Sequence, residues 1–289
     1  MKIKKLIERL IIFFVGAPLV LASIYFLPHY NFLVYHIELF IAALIANYEI
    51  YNILSQRSPA YPKKILACFG TILVLSSYLI GLHAVPFQYI FIVFGCVTVG
   101  MMFMEVIFSF SGNFTNSIAR LTTGVFMLIY PWGLTVFLSA IASLPNAGAL
   151  IIMFFLMTFG CDSFAWLFGM LLGKNNRGVV AASPNKSVAG FAGGYVGCIL
   201  ASLIAQKALP HIFPGSLWKS VLFGTLVASA AIVGDLAESV FKRSSNVKDS
   251  GGIMPGRGGV LDSIDSLLFA APVFYLSLRL LYGVPIFLR

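Results

Sequence analysis

Nine apolar segments, each close to the length that crosses a bilayer, dominate this sequence. A helix needs about 20 predominantly apolar residues to span the hydrocarbon core of a membrane. The segments cover residues 10–27, 32–54, 65–82, 87–108, 121–143, 149–172, 188–206, 217–238 and 264–283. They predict an all-α, polytopic integral membrane bundle of about nine transmembrane helices.

The composition agrees with a membrane protein. Of the 289 residues, 60% are hydrophobic and 10% are charged, whereas a soluble domain has about 45–50% apolar and about 25% charged residues. The net charge of +9 lies in no long basic stripe and in no soluble domain, so we expect no nucleic-acid partner. We expect a single membrane domain, 1–289, with N-terminal helices in 1–145 and the catalytic helices and loops in 146–289.

The Lys and Arg residues predict the orientation. Cytoplasmic loops of membrane proteins carry an excess of both. With a cytoplasmic N-terminus, fifteen of the nineteen Lys and Arg residues fall on the cytoplasmic side. The same topology places two charged, glycine-rich segments, 173–187 and 239–263, on the cytoplasmic face, where nucleotides are found.

Six of the ten acidic residues lie in the second half of the chain: Asp162, Asp235, Glu238, Asp249, Asp262 and Asp265. Charge near hydrocarbon is costly, so such a cluster indicates a functional site. Asp235 and Glu238 are three residues apart and share one face of a helix. Asp262 and Asp265 repeat this spacing at the start of the last helix. Carboxylate oxygens are ligands that suit Mg²⁺, which also binds substrate phosphates.

Two other interpretations of these acids stay open. They can pair with Lys242, Arg243 and Lys248 as structural ion pairs. Asp262 and Asp265 can also be helix N-terminal charges that the macrodipole favours.

The glycines and cations of the same region indicate phosphate binding. Glycine permits close approach of the backbone, and exposed N–H groups of such a loop can cradle phosphate. Lys248 and Arg257 lie within the glycine-rich segment, and Lys186 follows the rigid Ser183-Pro184 step upstream. The glycines of the seventh apolar segment are also explained by close helix packing.

These residues form a long pattern. Around the second charged segment it comprises Gly234-Asp235-Leu236-Ala237-Glu238-Ser239, Lys242-Arg243, Lys248-Asp249, Pro255-Gly256-Arg257-Gly258-Gly259 and Asp262-Ser263-Ile264-Asp265. Upstream it comprises Asp162 and Ser183-Pro184-Asn185-Lys186. The pattern resembles the signature of the phosphatidate cytidylyltransferase (CDP-diacylglycerol synthase) family, over roughly residues 160 to 275. Arg257 replaces the histidine of that signature and Ser263 replaces its arginine. Either the positive charge has moved to the glycine turn, or the activity is altered or lost.

The resemblance implies an enzyme that joins CTP and phosphatidate, with release of pyrophosphate. It implies Mg²⁺, with a second metal ion possible, bound by Asp235 and Asp262 with Glu238 and Asp265 in support. Asp249 and Lys248 complete the expected catalytic set. The residues expected to bind substrate or phosphate are Asp162, Ser183, Lys186, Lys242, Arg243, Arg257, Gly258 and Gly259. The family also implies a homodimer in contact with membrane lipid, here in the inner membrane of a bacterium with a cytoplasmic active site.

Three alternatives remain at this point. A CTP-dependent kinase of polyprenol or another lipid would transfer the γ-phosphate and release CDP. A transporter would also have buried acids and glycine-broken helices. An inactive relative would serve as a membrane scaffold.

Overall fold

A computed structural model describes residues 15–83, 85–110, 112 and 114–284 of the chain. These residues form helices joined by loops, and they divide into two compact units. The first unit contains residues 15–143 and 244–263, and the second contains residues 144–243 and 264–284. The signature residues are therefore distributed over both units.

The described chain contains ten α-helices, and a π-helical segment lies between two of them. In the first unit they are α1 (Ala17–Phe26), α2 (His29–Leu54), α3 (Lys63–Leu82), α4 (Tyr89–Ser109), α5 (Ser117–Met127), the π-helical segment Leu128–Gly133 and α6 (Leu134–Ile141). The remaining helices are α7 (Ala147–Leu172), α8 (Val188–Ala208), α9 (Leu217–Ser244) and α10 (Leu261–Tyr282).

Eight helical stretches in the described ranges are long and apolar enough to cross a membrane, with α5, the π-helical segment and α6 forming one of them. The predicted all-α polytopic fold is confirmed, and the chain is an integral membrane protein. The predicted first span, 10–27, begins outside the described residues, and its described part, 15–27, contains the ten-residue helix α1.

The structure changes three of the predicted boundaries. The predicted span 121–143 is interrupted by the π-helical segment, where Pro131 lacks the N–H that a regular helix requires. Helix α9 continues to Ser244, so Lys242 and Arg243 lie on a helix and not in the predicted loop. Helix α10 begins at Leu261, which places Asp262 in its first turn.

The first unit is packed around Trp132 and Tyr61, which are 1% and 0% exposed. A Cβ atom at Gly70 would lie 2.0 Å from the Trp132 ring, so only glycine lets the indole lie against α3. Tyr61 donates a hydrogen bond to the Met101 carbonyl at 3.2 Å. These contacts tie α3 to the π-helical segment and the loop before α3 to α4.

Two acids of the first unit have structural partners. Glu105 of α4 binds Arg120 of α5 in a two-pronged ion pair, with Nε–Oε1 at 2.6 Å and Nη2–Oε2 at 2.8 Å. Glu38 of α2 accepts a hydrogen bond from Ser23 at 3.1 Å. Because each carboxylate is satisfied locally, neither needs a ligand.

The second unit relies on small residues for close packing. A Cβ atom at Gly197 would lie 2.4 Å from the Gly160 carbonyl, and one at Gly193 would lie 2.5 Å from the Phe164 carbonyl. Helices α7 and α8 thus touch backbone to backbone, which confirms the packing interpretation of these glycines. The Phe274 ring contacts Phe154 edge to face and Phe223 at a tilt, with centroids 5.2 and 5.1 Å apart, and these rings fill the centre.

Candidate active site

The 173–187 loop of the second unit is held in one shape by its own backbone. The Gly178 N–H donates to the carbonyls of Pro184 and Lys186 at 3.1 and 3.2 Å. The Lys186 N–H donates to the Ser183 carbonyl at 3.1 Å. Because these hydrogen bonds fix both ends of the Ser183–Lys186 turn, the backbone position of Lys186 is well defined.

Helix α8 begins directly after Lys186. Ser187 has extended backbone angles and its Oγ accepts the Gly190 N–H at 3.0 Å, the arrangement of a helix N-cap. A helix N-terminus carries a partial positive charge and free N–H groups. The Lys186 ammonium therefore places a full positive charge beside the N-terminus of α8, which by itself already attracts anions.

The Lys186 ammonium forms an ion pair with the Asp235 carboxylate of α9. The two side chains are 37% and 26% exposed, so water and solutes reach both. This contact joins two parts of the predicted site that are far apart in the sequence. An ion pair that water reaches is weak, so an anion of higher charge than a carboxylate can replace Asp235 beside Lys186.

One turn further along α9, Glu238 pairs with Lys242 at 2.5 Å. These side chains are only 1% and 11% exposed. Glu238 therefore has the kind of partner that the structural ion-pair interpretation requires. Arg243, which is exposed, donates from Nε to the Ala182 carbonyl at 3.2 Å and so contacts the 173–187 loop.

Two further predicted acids belong to the second unit. Asp265 of α10 is 5% exposed and its Oδ1 accepts the Ser266 N–H at 2.6 Å. It interacts electrostatically with Glu238 and with Asp162 of α7. Asp162, Glu238 and Asp265 therefore lie within electrostatic range of one another in the second unit.

The arrangement of these acids bears on whether they could bind a metal ion. Among the described residues, no three His, Cys, Asp or Glu side chains are placed to hold a metal ion together. Mg²⁺ does not require such a cage, because it usually binds one or two carboxylates, substrate phosphates and water. The accessible Asp235 carboxylate fits that requirement, and the assignment of Asp235, Glu238, Asp262 and Asp265 to the metal stays a prediction.

In the first unit, residues 254–258 form a narrow turn. Met254 and Gly258 exchange backbone hydrogen bonds of 2.8 and 3.0 Å. Gly258 has φ +112°, a conformation that residues with a Cβ atom rarely adopt. The Gly258 N–H is used inside the turn, and the Gly259 N–H donates to Asp262, so neither is free to cradle phosphate in this conformation.

Asp262 holds this turn against the preceding chain. Its Oδ2 accepts the Ser250 N–H at 2.9 Å and the Gly259 N–H at 2.7 Å. The helix N-terminal interpretation of Asp262 is therefore partly right, since the carboxylate satisfies backbone N–H groups next to the start of α10.

Glu49 of α2 is the functional candidate that the sequence pattern does not reveal. Its carboxylate is 2% exposed and accepts hydrogen bonds from Ser250 Oγ at 3.1 Å, Val260 N at 3.0 Å and Leu261 N at 2.8 Å. The only signal in the sequence is an acid within an apolar span, which by itself names no partner.

The signature cations of the first unit differ from those of α9. Lys248 is exposed and Arg257 is half-buried. In the ranges that the structure describes, neither forms an ion pair with a carboxylate. Asp249 is exposed beside Gly258. Ser263, which stands where the signature has arginine, donates to the Gly259 carbonyl at 3.3 Å and so contacts the turn.

Fold and site together define a polytopic helical membrane protein with acids and cations grouped at helix ends and loops. Comparison with known proteins gives the family. A sequence model of the cytidylyltransferase family matches residues 7–281, so the chain belongs to that family.

Curated relatives agree with this assignment. The phosphatidate cytidylyltransferase of Bacillus subtilis is 45% identical over 124 residues, 41% of this chain and 43% of that protein. The phosphatidate cytidylyltransferase of Thermotoga maritima is 36% identical over 154 residues, 52% of this chain and 56% of that protein. The uncharacterized protein YnbB of Escherichia coli is 30% identical over 208 residues, 68% of each chain.

The matched stretches cover between 30% and 56% of the phosphatidate cytidylyltransferases. The chain therefore spans about half the length of these curated relatives or less. They support the family of the chain, and what they act on is carried over only as a proposal.

Proposed function

We propose that this protein transfers the cytidylyl group of CTP to phosphatidate and releases pyrophosphate. The observation that carries the proposal is the identity of 36–45% to phosphatidate cytidylyltransferases, together with the residue-by-residue signature. The product would be CDP-diacylglycerol, a precursor for phospholipid synthesis.

The reaction requires no nucleophile from the protein. An oxygen of the phosphatidate phosphate attacks the α-phosphorus of CTP and forms a new P–O bond. The bond between the α-phosphorus and the oxygen bridging to the β-phosphorus breaks, and pyrophosphate leaves with that electron pair. The protein has to bring two polyanions together and stabilise the charge on the phosphates.

Residues of the second unit would hold the nucleotide. Lys186 stands at the N-terminus of α8, where a phosphate is favoured by the ammonium and by the helix end. A CTP phosphate would compete with Asp235 for Lys186, and their exchange is easy because the ion pair is accessible. Ser183 and Asp162 would contribute to the nucleotide site, and Arg243 is exposed beside the same loop.

Residues of the first unit would add positive charge. Lys248 and Arg257 have no carboxylate partner among the described side chains, so binding a phosphate breaks no ion pair. Arg257 can also bind phosphate through two parallel N–H groups. This supports the interpretation that Arg257 supplies the charge that the signature normally carries at position 263.

Mg²⁺ would be held by the Asp235 and Asp262 carboxylates with support from Glu238 and Asp265, and when bound it would neutralise phosphate charge. We further propose that the protein lies in the cytoplasmic (inner) membrane of a bacterium, with its site facing the cytoplasm. It would take phosphatidate from the surrounding lipid and act as a homodimer.

Nucleotide selectivity tests the proposal. Purified protein in detergent, supplied with phosphatidate and Mg²⁺, should release pyrophosphate from CTP, and omission of phosphatidate should stop the release. ATP, GTP and UTP serve as matched nucleotides and should react far more slowly. Equal pyrophosphate release with and without phosphatidate would overturn the proposed acceptor.

A further inference from the structure

Glu49 connects two regions that are 201 to 212 residues apart in the sequence. Its Oε2 accepts the Ser250 hydroxyl and the Leu261 N–H, and its Oε1 accepts the Val260 N–H. A buried carboxylate is costly unless it is hydrogen-bonded. Here all three donors come from residues 239–265, the signature segment, which therefore provides the hydrogen bonds that the buried Glu49 carboxylate requires.

The glycines of the signature fit around this carboxylate. A Cβ atom at Gly251 would lie 2.4 Å from Glu49 Oε1, and one at Gly259 would lie 2.4 Å from Glu49 Oε2. At distances this short, a side chain at either position would displace the Glu49 carboxylate. Gly251 and Gly259 therefore allow the close approach of Glu49.

Ser250 links Glu49 to Asp262. Its hydroxyl donates to Glu49, its N–H donates to Asp262 Oδ2, and the hydroxyl oxygen accepts the Asp262 N–H at 3.3 Å. Val260 and Leu261, the residues just before Asp262, donate to the same Glu49 carboxylate. The position of the Asp262 backbone thus follows from the position of Glu49.

Helix α10 begins at Leu261, and the first N–H groups of a helix have no partner within it. Glu49 supplies that partner from another helix and adds a negative charge at the positive end of α10. A carboxylate in this place fixes both where the helix starts and the direction of its first turn.

We propose that Glu49 is a positioning residue for the signature segment, which holds the start of α10 and thereby sets the Asp262 carboxylate for the reaction. The proposal rests on the proposed cytidylyl transfer for its kinetic consequence. Its structural consequence, the fixing of Val260 and Leu261, is independent of which reaction the protein performs.

The test uses Glu49→Gln, with Glu38→Gln as the matched control on the same helix. Glutamine keeps the shape, but its amide group presents N–H donors to backbone donors. We expect kcat to fall about 100-fold, as for a small misplacement of reacting groups, with the KM for CTP changed by less than about 3-fold. Glu38→Gln should keep wild-type kcat. Wild-type kcat in the folded Glu49→Gln protein would overturn the proposal.

Hydrogen exchange supplies a readout without turnover. The Val260 and Leu261 amides should exchange slowly in the wild type and in Glu38→Gln, and at least about 10-fold faster in Glu49→Gln, because a lost hydrogen bond of this kind is equivalent to about 1.5–3 kcal/mol. Unchanged exchange would overturn the proposal even if the protein transfers no cytidylyl group.

A second variant serves if Glu49→Gln does not fold. Ser250→Ala removes one hydroxyl and should show the same changes in kcat and exchange to a smaller extent. Wild-type kcat and exchange in Ser250→Ala would contradict the proposal.

Discussion

The Lys186 ammonium of the 173–187 loop pairs with the Asp235 carboxylate of α9. Both side chains are partly exposed, and Lys186 lies at the N-terminus of α8. A predicted phosphate ligand and a predicted metal ligand therefore neutralise each other in this structure. Binding of CTP would separate them.

Substitution of Lys186 should weaken CTP binding. We expect Lys186→Gln to raise the KM for CTP about 10- to 100-fold, since a lost charged hydrogen bond is equivalent to about 1.5–3 kcal/mol. Lys174→Gln is the matched control, because Lys174 is an exposed lysine of the same loop. Steady-state kinetics over a range of CTP concentrations measures both. A similar KM in the two variants would remove Lys186 from the nucleotide site.

Substitution of Asp262 should abolish transfer without unfolding the protein. Asparagine keeps one oxygen that can accept the Ser250 and Gly259 N–H groups but loses the negative charge. We expect Asp262→Asn to lose about 100-fold or more in kcat, a size typical for removal of one electrostatic contact in an active site. Ser263→Ala, in the same helical turn, should stay near the wild type. Full activity of Asp262→Asn in a detergent assay would exclude Asp262 as a metal ligand.

Two glycines of the signature segment should respond differently to alanine. A Cβ atom at Gly259 would lie 2.0 Å from Ser250 Oγ, whereas one at Gly252 would meet no atom within 4 Å. Gly259→Ala should lower stability by about 1–3 kcal/mol, as in other overpacked sites, and should reduce activity. Gly252→Ala should resemble the wild type in both. Thermal unfolding in detergent gives the comparison, and equal melting temperatures would mean that the turn can relax around a methyl group.

The buried Glu238–Lys242 pair should matter more for stability than the exposed Lys186–Asp235 pair. Glu238→Gln removes the carboxylate of a buried ion pair, and breaking such a pair by changing one partner typically costs about 3–5 kcal/mol. The double variant Glu238→Gln/Lys242→Met should recover part of this loss, because the buried ammonium is removed together with the carboxylate. Denaturation of all three proteins under one detergent condition measures the difference. A single variant as stable as the wild type would contradict a structural role for the pair.

The sequence is sufficient to predict the helices and the local groups of acids. Apolar segments of about 20 residues are long enough to define spans on their own. The spacing of Asp235 and Glu238 places both on α9, and that of Asp262 and Asp265 places both on α10. These predictions depend only on neighbours in the sequence.

The partners of the acids could not be predicted in the same way. Asp235 and Glu238 bind different cations, Lys186 and Lys242, because one faces the 173–187 loop and the other is buried on α9. The link between Glu49 and Leu261 crosses 212 residues and no local spacing encodes it. Helix α9 also continues past the end of its apolar segment, because Lys242 is held by Glu238 one turn earlier.

The most direct test of the proposed reaction traces the α- and the γ-phosphate of CTP separately. Purified protein is incubated with phosphatidate, Mg²⁺ and CTP labelled with ³²P at either the α- or the γ-phosphate, and the lipids are extracted. Cytidylyl transfer predicts that the α-label enters the lipid and that the γ-label stays in water as pyrophosphate. Appearance of the γ-label in the lipid would indicate a lipid kinase, and absence of both labels from the lipid would exclude transfer to phosphatidate, so either result would contradict the proposal.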